Sequence, residues 1–251
     1  MTVDETGEEI LPASIAMAWG LQERPGRGPK RGLSLERIIA TAIDVADTDG
    51  LTALSMGRVA ADLGVTTMAL YRYVGSKDEL LILMTDSAYG PPPPAAEPRE
   101  GWRAALSAWA RALMDALRAH PWVLRVPVDG YPAAPNQLAW LEAGLASAEG
   151  TGLDAGQRLS TVLTLTGFVR SQAALSTDVA NFASAEGKSD QEATSAYARL
   201  LEKLVTPARF PALTAVIMAG VMDRQESADA EFLFGLERFL DGIAVLADSQ
   251  A

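Results

Sequence analysis

Apolar residues recur at intervals of three and four along most of the chain, which places them on one face of an α-helix. The first clear stripe begins after Ser34, a residue type that often caps a helix N-terminus, and it ends before Gly50. Its members are Leu35, Ile38, Ile39, Ala42, Ile43 and Ala46. The pattern predicts an amphipathic helix over Leu33–Thr48.

Residues 55–80 predict two further short helices joined by a tight turn. The apolar positions at helical spacing are Val59, Ala60 and Leu63 in the first helix and Leu70 and Val74 in the second. Gly64 lies between them and can adopt the left-handed conformation that ends a helix, while Thr66 can cap the next one. This arrangement predicts a helix–turn–helix unit whose second helix covers Thr66–Val74.

The outward side of that second helix carries groups that suit DNA. They are Thr67, Met68, Tyr71, Arg72 and Tyr73. Hydroxyl, aromatic and guanidinium groups of this kind contact base edges and phosphates. The alternative interpretation is a solvated helical hairpin in an unrelated helical protein.

A longer pattern around this unit resembles the signature of the Tet repressor (TetR) family. It consists of Leu63-Gly64-Val65, Leu70-Tyr71, Tyr73-Val74, Lys77 and Leu80-Leu81, preceded by Ala40, Ala46, Gly50 and Val59-Ala60. The resemblance spans about residues 33–85. It departs from the family at Tyr73, where histidine is most frequent, and at Gly57, where many members carry a side chain able to reach DNA. It implies an all-α fold with an N-terminal three-helix helix–turn–helix DNA-binding head and a larger C-terminal helical domain for ligand binding and dimerisation.

A further helix is predicted over Lys77–Ala88, with Ser76 and Glu79 forming a capping box at its start. In the TetR family the corresponding helix transmits the ligand state to the DNA-binding head. The proline-rich stretch Tyr89–Pro98 must end this helix. The predicted divisions are an arm over 1–32, the head over 33–89 and the C-terminal domain over 99–251.

The predicted flexible arm contains a weak helix at Ile15–Trp19 and a basic segment, 24–31, with four cations among prolines and glycines. Its position before the head favours contacts of Arg27, Lys30 and Arg31 with phosphates or the minor groove. A solvated linker is the alternative. The chain has a formal charge of −11, but residues 22–80 contain eight Lys/Arg and eight Asp/Glu, so the acidic excess lies elsewhere. DNA affinity would then depend on a few placed contacts.

Residues 99–251 show helical spacing throughout and no strand-like alternation. Helices are predicted over Arg99–Ala119, Ala133–Glu149, Asp154–Ser176, Gln191–Val205, Pro211–Met222 and Ser227–Leu246. The helices near 154–176 and 227–246 carry wide apolar surfaces that need burial on two sides. In the TetR family the late helices form a four-helix bundle between two protomers, which implies a homodimer here. The alternative places both helices inside one protomer.

The C-terminal helices also contain a candidate ligand cavity. The residues predicted to line it are Trp109, Leu113, Trp140, Phe168, Gln172 and Phe182. Ligand cavities in helical domains are mostly apolar with a few polar groups, and Arg170 and Asn181 add polarity here. Alternatively, the aromatic residues only fill the core.

Other kinds of chemistry find little support. The chain has no cysteine, which excludes disulfides and thiolate metal sites, and its single histidine, His120, excludes multi-histidine sites. His120 is predicted at a helix end, near free carbonyls. The acidic cluster Asp47–Gly50 does not fit a calcium loop, because Val45 and Met56 would occupy positions that need carboxylates. No metal, cofactor or catalytic group is therefore predicted.

Two further features concern location. The chain contains no run of eighteen apolar residues, and its acidic N-terminus lacks the basic start of a secretion signal. We therefore expect no membrane association and a cytoplasmic location.

Together with the resemblance to the TetR family, these patterns predict a homodimeric TetR-like regulator. The resemblance implies a repressor released from a palindromic double-stranded DNA operator by a small lipophilic or aromatic effector. The residues predicted to contact the operator are Arg27, Lys30, Arg31, Ser55, Met56, Thr66, Thr67, Met68, Tyr71, Arg72, Tyr73 and Lys77. One alternative is a helical small-molecule-binding protein without DNA-binding activity, and another is an all-α enzyme that uses His120.

Overall fold

The structure, a computed structural model, describes residues 2–3, 9–21, 33–94, 101–127, 133–221 and 229–249. The basic segment 24–31, with Arg27, Lys30 and Arg31, lies outside these residues. The regular secondary structure of the described part is helical apart from one antiparallel pair of two-residue strands, β1 (Thr2–Val3) and β2 (Glu9–Ile10). The predicted all-α fold is confirmed.

The head contains three helices in the predicted order: α2 (Leu35–Asp49), α3 (Met56–Leu63) and α4 (Thr67–Tyr71). A 3-10 turn at Leu51–Ala53 joins the first two. The hydroxyl of Ser34 accepts a hydrogen bond from the Arg37 amide, and that of Ser55 accepts one from the Arg58 amide, so each caps a helix. The apolar faces meet in a small core of fully buried side chains, among them Ile38, Leu54, Val59 and Leu70.

Helix α5 (Lys77–Tyr89) packs against α2 and connects the head to the C-terminal domain. Ser76 caps it by accepting a hydrogen bond from the Glu79 amide. The predicted reciprocal capping box is wrong in one respect, because the Glu79 carboxylate accepts from the Gly75 amide at 2.8 Å instead of from Ser76.

The N-terminal region differs from the predicted flexible arm where it is described. Residues Ala13–Ala18 form helix α1, which packs against α5. Ser14 is buried, and Met17 and Ala18 pack against the hydrophobic core. The weak helix predicted at Ile15–Trp19 is thus a docked element, because α5 and its neighbours cover its apolar side.

Six α-helices and a 3-10 helix form the described part of the C-terminal domain. They are α6 (Gly101–Ala119), the 3-10 helix Pro121–Arg125, α7 (Pro135–Ser147), α8 (Ala155–Ala185), α9 (Asp190–Leu204), α10 (Pro211–Met218) and α11 (Ala230–Asp248). Helix α8 extends well beyond the predicted end at Ser176. No glycine or proline interrupts residues 168–186, and the helix ends only before Gly187, which has a φ of 64°.

Among the polar contacts that join the head to the C-terminal domain, two sets centre on aspartates of the head. The first involves Asp86 in α5, whose carboxylate accepts hydrogen bonds from the amides of Asn136 (2.9 Å) and Gln137 (3.0 Å) and so caps α7. Asn136 also donates its side-chain amide to the Asp86 carbonyl at 3.0 Å. Burial raises the pKa of Asp86, and the hydrogen bonds from Gln137 and Asn136 oppose that shift.

The second set centres on Asp47 in α2. Its Oδ1 accepts a hydrogen bond from the Trp122 indole at 2.7 Å, and the same atom lies 2.9 Å from His120 Nδ1. The prediction for His120 is therefore wrong, because it pairs with a carboxylate instead of free carbonyls. Both contacts bring together residues far apart in the chain, so local sequence did not reveal them.

Candidate functional site

Helix α4 presents an exposed and chemically varied surface. Gly64 has a left-handed φ of 69°, which lets the chain turn directly from α3 into the extended residues before α4. The Met68 side chain is 74% exposed, and Tyr71 and Arg72 are also exposed. Thr66 occupies the predicted N-cap position but its hydroxyl makes no capping hydrogen bond. The α-helical part ends at Tyr71 instead of Val74, because the Tyr73 amide bonds to the Leu70 carbonyl in a tighter turn.

Three of the predicted DNA contacts have structural roles. The prediction that Met56 contacts DNA is wrong, because only 6% of its surface is exposed and it belongs to the core of the head. Tyr73 is half-buried, and its hydroxyl donates to the Leu33 carbonyl at 2.9 Å, which fixes the start of α2 against the end of α4. Ser55 is exposed, but its hydroxyl caps α3.

The cations of the head differ in how far other residues neutralise them. Arg58 contacts Asp62 at 2.9 Å and Asp49 at 2.8 Å, and hydrogen bonds to Asp62 and then Asp49 raise its pKa above the ordinary value. Arg72 and Lys77 form no ion pair within the described part of the chain, and both are exposed. They lie at the end of α4 and the start of α5, so the free cations of this surface flank the exposed face of α4.

The six residues predicted to line a ligand cavity do not share one environment. Trp109, Leu113 and Trp140 are buried, and the Trp109 indole donates to the Trp140 carbonyl at 3.0 Å. A Cβ at Gly144 would come within 2.7 Å of Val162 and 3.1 Å of Trp109, which shows that this region is closely packed. For Trp109 the core alternative therefore describes the structure better than a cavity wall.

The other three members lie along α8 at different depths. Phe168 stacks on Phe232 of α11, with ring centroids 5.8 Å apart. Gln172 is half-buried, whereas Phe182 is 62% exposed. Arg170, predicted to add polarity, donates to the Tyr89 hydroxyl at the end of α5. Helix α8 therefore contacts α5, which connects the head to the C-terminal domain. The candidate ligand residues on α8 do not, however, face one common cavity.

An open groove of about 480 Å³ lies between the start of α8 and the end of α11. Its lining residues are Asp154, Gly156, Gln157, Ser160, Thr161, Thr164, Phe239, Ile243 and Leu246. None of the six predicted ligand residues contributes to it. Beside the groove, Leu159 and Leu163 are exposed on the same stripe of α8, so part of the apolar surface predicted for a dimer lacks a partner in the protomer.

Two general properties of the described residues bear on function. They contain no group of three or more His, Cys, Asp or Glu side chains arranged to hold a metal ion. No helix among the described residues has the length and apolarity needed to cross a membrane.

Sequence comparisons identify relatives for both parts of the chain. The family described as "Bacterial regulatory proteins, tetR family" matches residues 38–84, and "Tetracyclin repressor-like, C-terminal domain" matches residues 93–247. The HTH-type transcriptional repressor DrrR1 of Streptomyces coeruleorubidus is 35% identical over 247 residues. That match covers 98% of this chain and 90% of DrrR1.

Structural comparisons agree with that relationship. ActR from Streptomyces coelicolor without ligand is 26% identical with a TM-score of 0.72, covering 87% of this chain and 98% of ActR. ActR in complex with actinorhodin is 25% identical with a TM-score of 0.71, covering 86% and 99%. BioQ with its double-stranded DNA operator is similar in fold alone, at 18% identity and a TM-score of 0.55, covering 85% and 99%. Because the head and the C-terminal domain each match the family in sequence and their order is preserved, this chain belongs to the TetR family of bacterial transcriptional regulators.

Proposed function

We propose that this protein is a homodimeric repressor that binds a palindromic operator and leaves it when an aromatic or lipophilic molecule binds. The observation that carries the proposal is the exposed surface of the short helix α4, which follows a glycine turn. Met68 and Tyr71 are exposed on the helix, and Thr66 and Arg72 are exposed at its two ends. Regulators of this family are not enzymes, and the sole histidine, His120, is engaged with Asp47.

DNA contact through α4 follows from the shape and chemistry of that face. A protruding helix of this size can enter the major groove, where an exposed hydroxyl and an apolar side chain can distinguish base edges. Thr67, which is partly exposed, and Met68, which is largely exposed, lie in the first turn of α4, so we assign base recognition to them. Arg72 and Lys77 flank the helix and are assigned to phosphates, which would fix its orientation.

A second copy of the chain is supported by the surface of α8 and α11. Leu159 and Leu163 project from α8 beside the groove, and small residues follow the same stripe at Gly156, Ser160 and Gly167. Small residues allow two helices to approach closely, and exposed leucines gain stability when covered. A symmetric pairing of these surfaces would bring two heads into one assembly, as a palindromic operator requires.

The effector class is supported by the ActR relationship. ActR has been crystallised with actinorhodin and with (S)-DNPA, and it is 25–26% identical to this chain in those complexes. Among the predicted ligand residues of this chain, Phe168 and Gln172 are half-buried. Arg170, which lies between them on α8, donates a hydrogen bond to the Tyr89 hydroxyl at the end of α5. A molecule that moved α8 at this point would act on the helix that carries the head.

Replacing Arg72 or Lys77 with alanine should weaken operator binding and reduce its dependence on salt. Each lost phosphate contact removes about one unit from the slope of log affinity against log salt concentration. The operator is first selected from random duplex DNA, and affinity is then titrated across salt concentrations. Arg199→Ala, which removes an exposed cation from α9, is the matched control and should leave the slope unchanged.

Replacing Met68 with alanine should instead change which bases are preferred, at little cost to folding because the side chain is largely exposed. Repeating the selection with the variant measures this preference. An unchanged consensus for Met68→Ala, together with unchanged salt slopes for Arg72→Ala and Lys77→Ala, would contradict the assignment of α4 as the recognition helix.

Ligand release is tested with actinorhodin as the first probe, followed by a panel of planar aromatic compounds. A compound that binds the folded protein raises its melting temperature increasingly with ligand excess. The same compound should lower the affinity of the protein for the operator. The operator should lower the affinity of the protein for the compound by the same factor, because linkage is reciprocal. Stabilisation by a compound without any change in operator affinity would favour the alternative, a small-molecule-binding protein that does not respond through DNA.

A further inference from the structure

We infer that helix α1 is a clasp that holds the DNA-binding head in a fixed orientation to the C-terminal domain, with Trp19 as its positioning residue. The N-terminal clasp is defined here as residues 13–19. It precedes both ranges matched by the family comparisons, which begin at residues 38 and 93. The inference rests on the proposed binding of DNA by two heads at a fixed spacing.

The clasp is attached to the C-terminal domain by a long-range hydrogen bond. The Trp19 indole Nε1 donates to the carbonyl of Ala133 at 2.8 Å, across 114 positions of sequence. Ala133 lies just before α7, whose first turn is capped by Asp86 of α5. Trp19 therefore contacts the C-terminal domain next to the place where the head also contacts it.

The same short helix contacts the head through its apolar side. Met17 and Ala18 line a groove of about 190 Å³ together with residues of α2, α5 and α7. The head contributes Leu35 and Leu83 to this groove, and the C-terminal domain contributes Asn136. Helix α1 packs against α5 of the head, and Met17 and Ala18 pack against the hydrophobic core. Because residues of the head and of α7 also border α1 at this groove, a change in the angle between head and C-terminal domain should disturb its packing.

A helix of only six residues has little stability of its own. Its order must come from these tertiary contacts, and the contacts in turn resist relative movement of the parts they join. A dimer whose heads are held rigidly binds two half-sites without losing further orientational freedom, whereas looser heads must be ordered on binding. Loss of the clasp should therefore weaken operator binding and make the protein more tolerant of wrong half-site spacing.

The test uses the full chain and two substitutions. Trp19→Phe keeps an aromatic ring but removes the indole donor, and Met17→Asp places a charge in the apolar contact. Leu21→Ala is the matched control, because this side chain is 68% exposed directly after the clasp. We expect Trp19→Phe to weaken binding to the selected operator by about fivefold, the usual effect of one hydrogen bond.

A second measurement is specific to positioning. It compares the affinity for the selected operator with the affinity for the same operator carrying one extra base pair between its half-sites, and the spacing ratio is the first affinity divided by the second. The insertion moves one half-site by about 3.4 Å along the DNA axis, and rigid heads should reject it strongly. The ratio should fall by about threefold in Trp19→Phe, by more in Met17→Asp and not at all in Leu21→Ala. A merely destabilised head would bind both duplexes less well and leave the ratio unchanged.

Hydrogen exchange of the protein without DNA separates this inference from the proposed function. The amides of Asn136 and Gln137 donate hydrogen bonds to Asp86 beside the clasp. These amides should exchange faster in both clasp variants than in wild type. If the wild-type protein bound no selected duplex, the proposed function would be contradicted. The exchange data would still show whether α1 is docked against the rest of the protein. Unchanged exchange in both variants would overturn the docking, and faster exchange with an unchanged spacing ratio would overturn the positioning role.

Discussion

Replacing Leu163 with aspartate is expected to convert the proposed dimer into monomers and to reduce operator affinity by about 100-fold or more. Leu163 is 49% exposed in the protomer, so the charge should cost little in the isolated chain. In a helix-to-helix interface the same carboxylate would lose water without gaining a partner, at a cost of several kcal/mol. The loss of DNA affinity follows because each head would then bind its half-site alone, without the high effective concentration that its partner supplies. Sedimentation at micromolar concentration measures assembly, and a DNA titration measures affinity.

A matched variant and an independent variant strengthen this test. Leu200→Asp introduces the same charge on α9 at a side chain of nearly equal exposure, 50%, and should leave the dimer intact. Gly242→Trp adds bulk to α11 on the helical face that contains Phe239 and Leu246, where a Cβ would meet nothing within 4 Å in the protomer. It should therefore split the dimer without unfolding the chain. A wild-type protein that sediments as a monomer would contradict the proposed pairing, as would a dimer that survives both Leu163→Asp and Gly242→Trp.

The helix–turn–helix head was predictable because its signals are local. Ser34 and Gly64 mark helix ends by their residue types, and the structure shows both in that role. Periodicity also identified the apolar side of α3, but it did not distinguish Met56, which lies at the first helical position and turns into the core. A short helix offers too few turns to define the edge of its buried face.

The C-terminal domain was predictable as a set of helices, and less so in how they pack. On α11 the pattern did not show which apolar residues face the protomer, and Leu236 is fully buried there. An aspartate at Leu236 would unfold the protomer, whereas Leu163 tests the interface. On α6 the Trp109 indole donates to a carbonyl of α7, so a residue suited to a cavity wall is part of the packed core. Depth within a bundle depends on the neighbouring helices, which one helix's pattern does not encode.

The contacts that join the two domains were not predictable from the residues that form them. Asp86 lies within the apolar sequence of α5 and resembles any solvated aspartate until α7 is placed against it. The sequence offers one weak signal. Asp86 is the sole acidic residue between Leu80 and Tyr89, in a helix otherwise rich in apolar residues. Asp47 and Trp19 gave no signal of this kind, because their partners lie 73 to 75 and 114 positions away.

Replacing Asp86 with alanine is expected to destabilise the protein by about 2–4 kcal/mol, because the start of α7 loses its cap and buried donors lose their acceptor. The amides of Asn136 and Gln137 and the side-chain amide of Asn136 all donate to this carboxylate, at 2.9, 3.0 and 3.2 Å. For a chain of this length we expect the melting temperature to fall by about 5–15 °C.

Asp86→Asn is the matched control for this prediction, since its side-chain oxygen can still accept from both α7 amides and the neutral group avoids the cost of burying a charge. We expect it to retain most of the stability lost in Asp86→Ala. Thermal unfolding measures both variants, and hydrogen exchange at residues 136 and 137 shows whether the start of α7 is the part that loosens. Equal losses in the two variants would mean that the charge itself, and not the acceptor geometry, holds α5 to α7. A loss below about 1 kcal/mol in Asp86→Ala would mean that the apolar contacts between α5 and α7 hold the domains together without the cap.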